Sequence, residues 1–94
     1  MEREKILSFL KQNKPFLEKK YKVMKIGLFG SYATGTNTEE SDIDIIVSMP
    51  SNFDDFYDLK EFLEKNLHCT VDLGLEKNLR PIIKASIKDE IIYV

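Results

Sequence analysis

Cysteine is almost missing from this chain: Cys69 is the only one in 94 residues. A single cysteine excludes an internal disulfide and argues against a thiolate-built structural metal site. At the head of a strand-like run it reads as a small buried apolar residue. Long hydrophobic runs are missing too. No stretch approaches a membrane span, and the N-terminal MEREKIL has no signal-peptide pattern. A cytoplasmic protein without membrane contact is expected. Internal repeats, low-complexity segments and long linkers are also lacking. With 43% hydrophobic and 32% charged residues, the chain suits one soluble globular domain, 1–94, around a single core.

A dominant basic patch is lacking as well. The formal net charge is −2, and its distribution is uneven. Residues 1–25 carry eight Lys/Arg against three Glu, whereas residues 26–75 carry ten acids against two lysines. Stable direct nucleic-acid binding is therefore not expected. The basic N-terminal region reads as a solvated helix face, or as a surface for an acidic partner or substrate.

Periodicity supplies the elements. Glu2 to about Asn13 reads as a helix with Ile6, Leu7 and Leu10 on one side. Pro15 suits the first turn of a second short helix to about Tyr21. Val23–Phe29 reads as a strand that Gly30 ends. Ser31 to about Thr34 forms a helical turn closed by Gly35. Asp42–Met49 is a second strand stopped by Pro50. Asp54–Asn66 is an amphipathic helix carrying Phe56, Leu59, Phe62 and Leu63, with Leu67 just after them. Ser51 or Asn52 is its expected cap. Its aromatics, Tyr57 among them, are expected in the core. Cys69–Leu75 is a third strand, Pro81 to about Lys88 a last helix, and Ile91–Val94 a terminal strand. Helices interleaved with strands predict an α/β fold, a small mixed sheet with helices mainly on one face. A crossover through the Asp54–Asn66 helix would make its flanking strands parallel and bring Asp72 near Asp42 and Asp44.

The chemistry lies in IGLFGSYATGTNTEESDIDIIVSM. Gly30-Ser31 follows an apolar strand, and ten residues later comes Asp42-Ile43-Asp44. Alternation puts Asp42 and Asp44 on one face, with Ile43, Ile45 and Val47 on the other. In the third strand Val71 and Leu73 would face the core, leaving Asp72 on the carboxylate side. Clustered carboxylates repel one another, and a hard divalent ion removes the conflict. All-oxygen donors suit magnesium or manganese. Gly30 lets a phosphate approach the backbone, and Ser31 adds a hydroxyl donor. Together these residues form a site for metal and nucleoside triphosphate. A lone D-x-D or Gly-Ser is weak evidence; the combination with a third, matching aspartate is specific. Glu39 and Glu40 read as solvated loop acids and His68 as a surface or half-buried residue. Tyr32 sits at the mouth of the site, as a ligand-facing or a packing group.

At these residues the chain resembles the minimal nucleotidyltransferases of the DNA polymerase β superfamily. Their signature is Gly-Ser, ten residues, Asp-x-Asp and a later Asp on a neighbouring strand. The likeness extends over nearly the whole chain, including ILSFLKQNKPFLEKKYKVMKIGLFGSYATG and VDLGLEKNLRPIIKASIKDEIIYV. It implies the polymerase β-type nucleotidyltransferase fold and the antitoxin of a HEPN/MNT toxin–antitoxin pair. Such members transfer AMP from ATP to a tyrosine of the HEPN-domain ribonuclease toxin and release pyrophosphate. Carried over, Asp42 and Asp44 would bind two Mg2+ ions. Asp72 would help hold the catalytic ion and promote deprotonation of the tyrosine. Gly30 and Ser31 would hold the triphosphate of ATP. Many relatives read Gly-Ser-x-Ala-Arg-Gly, and Thr34 stands here in the arginine position. The short chain leaves no room for an acceptor domain, so the acceptor is expected to be another protein. Two alternatives stand beside this reading: an antitoxin that masks its partner by contact alone, and a small-molecule nucleotidyltransferase completed by a separate acceptor-binding subunit.

Overall fold

The computed structural model describes residues 2–94. The first helix, α1 (Arg3–Tyr21), is continuous and carries Pro15 in its interior, where two helices were expected. Proline there removes one backbone bond and crowds the preceding turn, at a cost of about 3 kcal/mol. Ile6, Leu10, Leu17 and Tyr21 are all buried along one stripe of α1. Each buried aliphatic side chain contributes about 1.5–3 kcal/mol, so the residues beyond Pro15 outweigh the break.

Strand β1 (Lys25–Phe29) leads directly into the short helix α2 (Gly30–Thr34). A loop then reaches β2 (Ile43–Ser48), followed by α3 (Phe53–Leu67) and β3 (Val71–Leu75). Asn52 caps α3, its side chain accepting from the Asp55 N–H at 3.1 Å, and Asp54 and Asp55 face the helix dipole in the first turn. A 3-10 turn (Glu76–Asn78), α4 (Pro81–Ile87) and the two-residue strand β4 (Ile92–Tyr93) complete the chain.

The sheet order is β3-β2-β1-β4. β2 and β3 are parallel, joined by α3, whereas β1 is antiparallel to both β2 and β4. The sheet is therefore mixed, as expected. Ile26, Leu28, Ile43, Ile45, Val47, Val71 and Leu73 are buried with the apolar stripes of α1 and α3 in one core. Partners in register share a face, so Gly27, Ile46 and Gly74 lie on the opposite face, together with Phe29, Asp44 and Asp72. That second face is partly covered. Ile46 is only 1% exposed and packs beside Gly74. At Gly27 a Cβ would come within 2.7 Å of the Ile91 side chain and 3.0 Å of Tyr93, so glycine is what lets the C-terminal segment lie across β1.

Candidate active site

Gly30 opens α2 at the end of β1 with φ +74°, a left-handed conformation that favours glycine. A Cβ there would run into the Asp44 carboxylate, with the Asp44 Cγ 3.0 Å and Cβ 3.2 Å away. The Gly-Ser turn and the second aspartate are thus in direct contact, although fourteen positions separate them in the sequence. Register explains the contact: Phe29, the residue before Gly30, pairs with Asp44 across the antiparallel β1–β2 ladder.

On its other side, Asp44 pairs with Asp72 across the parallel β2–β3 ladder. Asp44 is half-buried, while Asp42 and Asp72 are exposed. Asp42 lies one residue before β2. The Asp44 carboxyl is pushed above the ordinary carboxylate range, first by burial, then by the negative charges of Asp72 and Asp42. These donors fit a hard divalent cation in their chemistry: all are carboxylate oxygens, and one carboxyl is destabilised in a way that a cation would relieve. Among the described residues, no three His, Cys, Asp or Glu side chains converge as one coordination set. The backbone register aligns the carboxylates without closing them around a point.

Ser31 occupies the second position of α2 and is half-buried. Its carbonyl accepts from the Thr36 N–H at 2.9 Å. Thr34 turns inward on its own loop. Its hydroxyl lies 3.3 Å from the Gly30 carbonyl and 3.0 Å from the Thr36 hydroxyl. Thr34 therefore ties the turn after Gly30 together. A guanidinium does reach α2 from elsewhere: Arg3 Nη1 donates to the Ala33 carbonyl at 2.9 Å. Nothing in the sequence marks Arg3 beyond the basic excess of the N-terminal region, because the contact spans thirty positions.

One open expectation is decided and two change. Tyr32 is only 3% exposed and belongs to the core, and burial pushes its hydroxyl pKa up. Of the two roles expected for it, ligand-facing or packing, its burial supports packing. Cys69 is half-buried, not fully buried, since it precedes β3 and its thiol donates to the Ser41 carbonyl at 3.6 Å. Tyr57 is 52% exposed; the buried stripe of α3 is Leu59, Leu63 and Leu67, which turns Tyr57 to solvent. His68 is exposed in the left-handed cap of α3, a surface residue as expected. Glu39 and Glu40 are exposed in the loop before β2.

A family model described as a nucleotidyltransferase domain matches residues 4–94. A Methanocaldococcus jannaschii protein, provisionally named a protein adenylyltransferase, is 47% identical over 94 residues, covering 95% of this chain and 94% of its own. The protein adenylyltransferase MntA of Thermococcus cleftensis is 38% identical over 94 residues, covering 97% and 94%. A solved minimal nucleotidyltransferase superposes with a TM-score of 0.83 at 26% identity, covering 98% of this chain and 95% of that one. The chain is also similar, with a TM-score of 0.60 at 25% identity, to a chain in the complex of tri-AMPylated Shewanella oneidensis HEPN toxin with MNT antitoxin, covering 97% and 66%. With a match over almost its full length and relatives well above 30% identity, this chain is an enzyme of the nucleotidyltransferase domain family, in the group of minimal nucleotidyltransferases that includes the MntA protein adenylyltransferases.

Proposed function

We propose that this protein, as one domain over 1–94, is a magnesium-dependent protein adenylyltransferase. In this reading it transfers AMP from ATP to a tyrosine of a HEPN-domain ribonuclease toxin and serves as that toxin's antitoxin. The observation that carries the proposal is the row Gly30–Asp44–Asp72: a glycine turn that fits only against the Asp44 carboxylate, and an Asp44 paired in register with Asp72. The HEPN partner and its AMP modification are supported by the MNT–HEPN complex to which the chain is similar; the tyrosine acceptor rests on the family resemblance alone.

The residues divide the work. Gly30 and Ser31 hold the triphosphate, the glycine through close backbone approach and the serine through its hydroxyl. Asp42 and Asp44 would hold both magnesium ions, and Asp72 one of them; manganese has the same preference for oxygen donors. When bound, the ions supply charge stabilisation to the attacking and leaving oxygens. Asp72, exposed at the sheet edge, accepts the phenolic proton of the incoming tyrosine. The tyrosine oxygen bonds to the α-phosphorus, the bond from that phosphorus to the pyrophosphate oxygen breaks, and pyrophosphate leaves with the electron pair.

The test is a transfer assay with labelled ATP, magnesium and the HEPN-type protein encoded beside this gene. The wild-type chain should add AMP mass to that protein, and the double variant Asp42→Asn/Asp44→Asn should not. Transfer retained by the double variant would overturn the site assignment. A partner neutralised without gaining AMP would replace the proposal by simple masking.

A further inference from the structure

After β3 the chain crosses the carboxylate face of the sheet once more, without closing on it. β3 ends beside Val47, away from the carboxylates. The register of β4, Gly27 with Tyr93 and Leu28 with Ile92, brings Ile91 to the level of Phe29, whose partner on β2 is Asp44. α4 lies on this return path. The side chains of Ile91 and Tyr93 stand over Gly27, and Gly27 shares its face with Asp44 and Asp72. Yet no residue of α4 is buried. Between α4 and the C-terminal segment remains a groove of about 520 Å3, within the range of small-molecule sites. One wall is Pro81, Lys84, Ala85 and Lys88, a single stripe at helical spacing; Glu76, Ile91 and Tyr93 stand across from it.

The polar groups of this groove suit a nucleoside. The Glu76 side chain is only 16% exposed. Its Oε1 accepts from the Tyr93 hydroxyl at 3.4 Å and lies 3.9 Å from the Lys84 Nζ. Among the described residues no group hydrogen-bonds the second oxygen, Oε2, so it is free to accept from a ligand. Adenine presents an amino donor where guanine presents a carbonyl oxygen, and a carboxylate there repels the guanine oxygen. Tyr93 is half-exposed and offers a ring face on which a base can stack. Lys84 and Lys88 place two cations in the groove, complementary to an anionic nucleotide and opposite in sign to the aspartate row.

We propose that the groove under α4 seats the base and ribose of the nucleoside triphosphate: Tyr93 stacks on the base, Glu76 Oε2 accepts from the amino group that distinguishes adenine from guanine, and Lys84 and Lys88 face the ribose-phosphate. This seating rests on the nucleotide-transfer reading above and adds a nucleobase preference to it. Ile91, at the level of Asp44, marks the end of the groove from which the phosphates continue toward Gly30 and Ser31.

The test measures binding of ATP, GTP and inorganic tripolyphosphate to the full chain with magnesium, by titration calorimetry. The wild-type chain should bind ATP at least about tenfold more tightly than GTP. Glu76→Gln, whose amide can donate to the guanine oxygen, should cut that ratio to about threefold or less. Tyr93→Leu should weaken both nucleotides and leave tripolyphosphate unchanged. Circular dichroism checks that both variants fold. An amide NMR titration of the wild-type chain needs no variant: ATP should shift Ala85 and Tyr93, whereas tripolyphosphate should shift the Gly30–Ser31 turn and leave them in place. An unchanged ATP/GTP ratio in folded Glu76→Gln, or Ala85 and Tyr93 signals that bound ATP does not move, would overturn the groove and leave the transfer reading intact. Adenine-selective binding without AMP transfer to the HEPN-type protein would overturn the adenylyltransferase reading and leave the groove standing. Failure to bind ATP would overturn both.

Discussion

Gly30→Ala is the sharpest perturbation of the site, because two separate costs meet at one atom. The first is conformational. Gly30 sits at φ +74°, where an L residue costs about 1–2 kcal/mol. The second is steric. The new methyl would occupy the space of the Asp44 carboxylate, with the Asp44 Cγ at 3.0 Å and Cβ at 3.2 Å. Overpacking of this kind costs about 1–3 kcal/mol. The two sum to about 2–5 kcal/mol, a large share of the 5–15 kcal/mol that holds a typical domain together. In a domain of this size that lowers Tm by at least about 8 °C, at about 4–8 °C per kcal/mol. A double-mutant cycle separates the costs. In an Asp44→Ala background the carboxylate is gone and only the Cβ, 3.2 Å from the new methyl, remains, so Gly30→Ala should cost little beyond the conformational part of about 1–2 kcal/mol there. The expected coupling between the positions is about 1–3 kcal/mol, read from urea denaturation of the four proteins. Strict additivity would refute the claim that Asp44 packs on Gly30, and with it the direct joining of turn and carboxylate.

Two further outcomes follow from the charged groups. Burial, Asp72 and Asp42 raise the Asp44 carboxyl, so the folded state holds this proton more tightly than the unfolded chain. Its contribution to stability is present at acid pH and is lost as pH rises through the carboxylate range; Asp44→Asn should therefore stabilise the cation-free protein at neutral pH, by less than a fully buried carboxyl would because solvent screens the site. Denaturation in chelator at pH 7 and at pH 3 checks this, and an Asn variant less stable than wild type at pH 7 would contradict it. Tyr21 donates its hydroxyl to Asp58 at 2.8 Å, and burial together with that bond pushes its pKa upward. Its contribution holds below the ordinary tyrosine value near 10 and is lost as pH rises through the higher folded value; Tyr21→Phe should cost about 1 kcal/mol at neutral pH and flatten the alkaline limb of the stability profile, and an unchanged alkaline limb would count against it.

Much of the site was legible because a strand has a period of two. That period alone separates Asp44 from Ile43 and Ile45, and Asp72 from Val71 and Leu73, and the observed faces agree. A helix start was legible too, at Asn52, which caps the N-terminus of α3. Pro15 misled because a local breaker was weighed without the packing that overrides it; Leu17 and Tyr21 keep α1 whole. Tyr57 misled because α3 has aromatic residues on more than its buried stripe, and only the position of the sheet decides which ones face it. The burial of Ile46 on the carboxylate side could not be read at all, since its neighbour Gly74 lies on another strand far along the chain.

By itself the sequence determined the chemical inventory: a Gly-Ser turn after a strand, two aspartates on one face, a third on a later strand, and no thiol chemistry to compete with them. These follow from residue type and short-range alternation, which act within a few residues. Only the tertiary structure decided which of these groups meet. The contact of Gly30 with Asp44, the pairing of Asp44 with Asp72, the reach of Arg3 to α2 and the groove under α4 all depend on strand order and register. Register is set by the whole core packing at once, and no local pattern contains it.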